Sequence, residues 1–263
     1  MNIVQNFIDF SLNEEKIGSF YNDMLNPKFW DKYTTKNDAT KWVFDPMVRK
    51  KLVRIANDFF EKYADILGDL EIDDIQLTGS IANYTYTNSS DLDIHVLVDL
   101  SRIKSDKDVL KAATNGIRFV WNLRHDVKIR GHEVELYLQD SNEPHVSSGL
   151  YSLKENKWIK NPKFDPPDVD EQDINKKAEG IISDINKLES KLVLVSDLPK
   201  DAKELYKRLH RVKEKIQKMR NEGLSKEGEG SVGNLAFKKL RNEGYIEKII
   251  DLASKAYSRI YSE

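Results

Sequence analysis

Cysteine is absent from this 263-residue chain. Disulfide frameworks and thiolate-ligated metal centres are therefore excluded. Long apolar runs are missing too, so no segment reads as a membrane-spanning helix. No leader pattern of charged then apolar residues opens the sequence. The expectation is a soluble, cytoplasmic protein without a membrane partner. An excess of charge of one sign is also lacking: 42 Lys and Arg stand against 44 Asp and Glu, a formal net charge of −2. That balance argues against a general nucleic-acid coat protein. It is not uniform, since from Lys200 onward 16 Lys and Arg face 10 Asp and Glu. A locally basic C-terminal third can serve RNA or nucleotide, or simply carry helix-surface ion pairs. Proline is scarce at 7 residues, and three of them fall within Asn161-Pro162-Lys163-Phe164-Asp165-Pro166-Pro167. Proline breaks both helix and ladder, so this stretch is the expected linker.

What the chain does carry is concentrated between Asp74 and Leu138. Asp74-Ile75-Gln76-Leu77-Thr78 reads as a short strand that ends at Gly79. Glycine permits a tight turn and close backbone approach to a ligand. Ser80 adds a hydroxyl, and the following residues are expected to open a short helix whose N-terminus suits phosphate. Ser90 stands just ahead of Asp91-Leu92-Asp93 and joins Gly79 and Ser80 as a nucleotide-binding candidate.

Leu92, Ile94, Val96 and Val98 alternate with Asp91, Asp93, His95 and Leu97. On a strand that alternation sends the two aspartates to one face and the aliphatics to the other. Same-face neighbours lie about 6.5 to 7 Å apart, so two carboxylates can clamp paired metal ions about 3.5 to 4 Å apart. Oxygen-only ligands favour Mg²⁺ or Mn²⁺. An EF-hand-type Ca²⁺ loop starting at Asp91 fails, because its sixth and twelfth positions are Val96 and Arg102 rather than Gly and Glu.

A third acid comes from a second pair of strands. Asp126-Val127-Lys128-Ile129 and Glu133-Val134-Glu135-Leu136-Tyr137-Leu138 read as a hairpin turning at Arg130-Gly131. Glu133 and Glu135 share the face opposite Val134, Leu136 and Leu138, and both stay open as candidates. Glu135 is favoured: it is mid-strand, where a carboxylate needs a metal or a donor. Its expected role is to complete the metal site and help deprotonate an acceptor hydroxyl. His95 reads more readily as a hydrogen-bond partner than as a reacting group, and Tyr84 and Tyr86 more readily as packing than as base-stacking residues.

Gly79-Ser80, then Asp91-Leu92-Asp93, then Val134-Glu135-Leu136 resemble the signature of the DNA polymerase β-like nucleotidyltransferase superfamily. The likeness covers residues 46 to 140. Leu25-Asn26-Pro27-Lys28-Phe29-Trp30, Gly149-Leu150-Tyr151-Ser152-Leu153 and Gly228-Glu229-Gly230-Ser231 add a likeness to predicted nucleotidyltransferases encoded by large bacteriophages. The third acid here is Glu where many members carry Asp, which keeps the charge on a longer arm.

The resemblance implies a metal-dependent transferase. An NMP would pass from an NTP substrate such as ATP to an acceptor hydroxyl, and pyrophosphate would leave. Two ions of Mg²⁺ or Mn²⁺ would sit on Asp91, Asp93 and Glu135. The acceptor is open, with RNA one candidate. Two alternatives remain: a non-catalytic nucleotide- or partner-binding module, and a toxin-like enzyme nucleotidylating protein or tRNA.

The expected fold class is α+β: a small mixed sheet backed by helices, with a C-terminal helical domain. Residues 1–45 are expected to form a helical extension, 46–160 the core, 161–170 the linker and 171–263 the helical domain. Asp45 is a candidate cap for one helix over Pro46 to Leu67. Gly228-Glu229-Gly230-Ser231-Val232-Gly233 matches a dinucleotide fingerprint by letter. It follows a charged helical pattern rather than a strand, so it reads as a helix-to-helix turn capped by Ser231 or Asn234. The cations Lys238, Lys239 and Arg241 follow it, with Lys238 the candidate for triphosphate charge.

Overall fold

The computed structural model describes residues 21–35, 38–145, 147–164, 169–194 and 199–261. The chain divides into two compact units, residues 1–164 and 165–263. The first is built on a mixed sheet and the second is helical. The fold class is α+β.

The first unit begins with an antiparallel hairpin, β1 (Trp30–Thr35) and β2 (Asp38–Phe44). This corrects the expectation of helical pieces before residue 46; residues 1–20 of that expectation lie outside the described residues. Aromatic packing decides it. Phe29, Trp30 and Phe44 are buried, with Trp30 edge-on to Phe44 at 4.9 Å and stacked on Trp158 at 4.5 Å. The Trp30 indole donates to the Ile81 carbonyl at 2.8 Å, which satisfies its one polar atom.

Helix α1 (Pro46–Lys62) starts where Asp45 predicts. The Asp45 carboxylate accepts from the N–H groups of Met47 at 2.8 Å and Val48 at 3.0 Å, with proline in the first turn. The expected single helix to residue 67 breaks at Tyr63, and a short α2 (Ala64–Leu67) closes at Gly68. Buried Val48, Leu52, Ala56 and Phe59 give α1 its apolar stripe.

The main sheet then forms from β3 (Asp74–Thr78), β4 (Leu92–Val98), β5 (Lys128–Ile129), β6 (His132–Asp140), β7 (Leu150–Ser152) and β8 (Lys157–Lys160). Its strand order is β5-β6-β4-β3-β7-β8. Only β4 and β6 run parallel; every other neighbouring pair is antiparallel. A parallel pair needs a crossover, and helix α3 (Lys107–Arg124) supplies it. The hairpin into β6 turns at Arg130 and Gly131, both with positive φ.

Alternation fixes the two faces. Leu92, Ile94, Val96 and Val98 are fully buried, and Val134, Leu136 and Leu138 of β6 join them in one core with the α1 stripe. The intervening residues Asp93 and His95 are half-buried on the opposite face. Asn122 of α3 covers the edge of β6: its amide donates to the Leu136 carbonyl and its carbonyl accepts from the Leu136 N–H. That pairing replaces a missing strand neighbour and protects the edge.

The second unit comprises α4 (Glu171–Leu194), α5 (Pro199–Glu227), α6 (Val232–Asn242) and α7 (Tyr245–Tyr261). Its core includes Ile181, Ile185 and Leu188 of α4, Leu205, Leu209 and Ile216 of α5, and Leu252 of α7. The glycine-rich segment is a 3₁₀ turn at Gly228–Gly230, and the Ser231 hydroxyl caps α6 by accepting from the Asn234 N–H at 3.2 Å. The letter match to a dinucleotide motif is thus a connection between helices. Among the described residues no helix is long and apolar enough to cross a membrane.

Candidate active site

The parallel register of β4 and β6 puts Asp93 directly beside Glu135. Both occupy the polar face, and both are half-buried. Thr78, the last residue of β3, pairs with Asp93 from the other side. Gly79 follows with φ of +70°, and a Cβ at that position would drive into the Asp93 carboxylate. Only glycine fits there, for reasons of both backbone angle and space. The turn at Gly79 and the acid of β4 are therefore in van der Waals contact.

Of the two glutamates, Glu135 belongs to this group. Glu133 is exposed and forms an ion pair with Lys128 at 3.2 Å, its antiparallel partner on β5. Asp91 is buried at 8% exposure, two residues ahead of Asp93. Among the described residues no three His, Asp or Glu side chains form a group that could hold a metal ion. Asp93 and Glu135 thus stand side by side, while the expected closed group of three acids with Asp91 is not found among the described residues.

Ser80 and Ser90 do come together. The Ser80 hydroxyl donates to Ser90 Oγ at 2.7 Å, and the Thr87 N–H donates to the same oxygen at 2.8 Å. The segment between them is a chain of turns rather than the expected short helix. The reason is long-range. Asn22 reaches in, its side-chain amide donating to the carbonyls of Tyr84 at 3.2 Å and Tyr86 at 2.8 Å, and its backbone N–H donating to Tyr84 O at 2.7 Å. These bonds tie the segment down in its turn conformation. The expected helix N-terminus is therefore not formed after Ser80. Lys238 lies half-buried on α6 in the second unit.

Residues that the sequence did not single out hold the site. His132 is buried, and its Nδ1 lies 2.6 Å from the Ser90 carbonyl. A carbonyl can only accept, so Nδ1 carries the proton. The ring fastens the loop that leads into Asp91. Tyr137 lies two residues beyond Glu135. Its hydroxyl donates to Glu135 Oε2 at 2.5 Å and stands 3.4 Å from Asp93 Oδ1. Its ring stacks on His95 at 4.5 Å with an interplanar angle of 2°, and the Arg118 guanidinium lies 4.8 Å from its centroid. Burial, and after it the charges of Asp93 and Glu135, push the Tyr137 phenol well above its ordinary range. It stays a neutral donor. Burial first, then His145 beside it, pushes the His95 imidazole down to about 4. His95 is therefore neutral near pH 7, and its Nδ1 sits 2.7 Å from Gln139 Oε1. A period-two pattern in Glu135, Tyr137 and Gln139 was the available signal for this row.

Two carboxylates stand side by side on adjacent strands, and their oxygens are the donor type that hard divalent cations take. In comparisons with family models, curated proteins and solved structures, this chain matches none.

Proposed function

We propose that this chain is a metal-dependent nucleotidyltransferase of the DNA polymerase β-like kind. One observation carries the reading: Asp93 and Glu135 are register partners on parallel strands, and a positive-φ glycine turn packs on the Asp93 carboxylate. A phosphate-sized ligand at that turn would lie beside both acids.

Asp93 and Glu135, with Asp91, would hold Mg²⁺ or Mn²⁺, two ions in the full reaction. When bound, the ions would supply charge neutralisation for the phosphates and lower the barrier to in-line displacement. The chain's own residues do the rest. Gly79, Ser80 and Ser90 offer a narrow turn with hydroxyl groups for an NTP's triphosphate. Glu135 has one oxygen engaged by Tyr137 and a second to take the proton of the acceptor hydroxyl. The hydroxyl oxygen bonds to the α-phosphorus while the bond to the pyrophosphate oxygen breaks.

An RNA acceptor draws support from the second unit. A groove of about 1110 Å³ there is lined by Lys176 and Lys177 of α4 and by Arg211, Lys215, Lys218 and Lys226 of α5, with four carboxylates among them. A net positive groove suits a phosphate backbone.

The test is incubation of purified protein with labelled NTPs, Mg²⁺ or Mn²⁺ and RNA or protein acceptors, following pyrophosphate and labelled product. Asp93→Asn and Glu135→Gln are each expected to lower turnover by at least about a hundredfold, the range for loss of a group acting on transition-state charge. Full turnover in either variant removes its role. NTP binding with no product in the wild type would favour the non-catalytic module.

A further inference from the structure

The row beside the acids contains one side chain that the proposed chemistry does not use. Tyr137 is half-buried, its ring against a stacked imidazole and a guanidinium, and its hydroxyl lies within reach of two carboxylates. The phenol O–H donates to the Glu135 carboxylate, a charge-assisted bond. The ring has little freedom. His95 covers one side and is itself held by Gln139. Arg118, from α3, lies against the ring as well. A phenol fixed this firmly fixes what it donates to.

The geometry points to Tyr137 as a positioning residue that orients Glu135 toward Asp93 through its hydroxyl. This rests on the proposed reading of the site and adds to it a named residue outside the acid signature. The logic is electrostatic. Asp93 and Glu135 are adjacent carboxylates, and without a shared donor their repulsion would swing the longer Glu135 arm away. The phenol offers Glu135 a charge-assisted bond in a position beside Asp93, its register partner. It thereby sets the site before any cation arrives. Groups that orient metal ligands typically change affinity by 10- to 100-fold when removed.

The experiment uses the full chain and four proteins: wild type, Tyr137→Phe, Glu135→Gln and the double variant. Phenylalanine keeps the ring between His95 and Arg118 and removes only the hydroxyl. Mn²⁺ is the probe, its binding followed by electron paramagnetic resonance without nucleotide. Tyr137→Phe is expected to weaken Mn²⁺ binding roughly tenfold. The double variant is expected to bind no more weakly than Glu135→Gln alone, because Tyr137 acts through that carboxylate. Wild-type affinity in Tyr137→Phe, or losses that multiply in the double variant, would overturn the assignment.

Thermal unfolding of the same four proteins without metal gives a second arm. The two single shifts in melting temperature should fail to add, as for any directly bonded pair. Additive shifts overturn the proposal even where Mn²⁺ binds. If wild type binds no Mn²⁺, the metal reading of the site fails, while the unfolding cycle still decides whether Tyr137 and Glu135 are coupled. The near-ultraviolet difference spectrum between wild type and Glu135→Gln covers the case in which Tyr137→Phe does not fold. A tyrosine band that shifts on loss of the carboxylate is expected, and an unchanged band contradicts the bond.

Discussion

Gly79 shows how a single residue ties fold to chemistry. Its φ of +70° is strained for any L side chain, and its missing Cβ leaves the space that the Asp93 carboxylate fills. Gly79→Ala must therefore move either the turn or the acid. The expected result is a stability loss of about 1 to 3 kcal/mol together with near-complete loss of NTP turnover. Thermal melts and pyrophosphate release check both halves, and retention of both would mean that the turn and Asp93 are not coupled. At this scale the sequence was informative for Gly79, Asp93 and Glu135. The local pattern of glycine before acid and acid on alternate strand positions carries them. It was silent on His132 and Tyr137. His132 acts on Ser90, 42 residues away, which no local pattern announces; Tyr137 follows Glu135 at strand period, but its ring partner His95 comes from another strand.

Elements divide in the same way. Strand β4 was legible because four aliphatics alternate with polar residues, and its burial follows that alternation. The hairpin of β1 and β2 was not. Trp30, Lys32, Lys41 and Trp42 give no clean period, and the strands exist because Trp30 pairs with Phe44 and Lys32 with Trp42 above a shared aromatic cluster. The segment after Gly79 forms turns instead of the expected helix, and Asn22, far upstream, bonds its carbonyls at Tyr84 and Tyr86.

Helix α1 tests the reading of caps. Asp45 accepts two backbone N–H bonds and pairs with Arg130 of the β5–β6 turn. The backbone bond from Val48, with Arg130 adding to it, holds the carboxyl below its ordinary range. The depressed value means that the folded state favours the charged form. The resulting stability is present above the ordinary carboxylate pKa near 4 and is lost as pH falls through the folded value. Asp45→Ala should cost about 1 kcal/mol at pH 7. The gap between wild type and variant should narrow in acid, which chemical denaturation at pH 7 and below pH 4 would measure. A gap that widens in acid contradicts the cap.

At the scale of the whole molecule, composition and punctuation did most of the work. Prolines after residue 161 stand where the chain passes from a sheet-based unit to a helical one, and the apolar spacing beyond them is that of long helices. The sheet order was not readable, because β6 pairs with β4 across a helix and β7 returns to β3 from the far side. That order is what makes Asp93 and Glu135 neighbours, so the central claim depends on it. Anomalous X-ray diffraction from crystals soaked with Mn²⁺ and a non-hydrolysable NTP tests it most directly. The account predicts a manganese peak bound by Asp93 and Glu135, with the triphosphate against the Gly79–Ser80 turn; manganese or nucleotide bound elsewhere, with those two carboxylates unengaged, would contradict it.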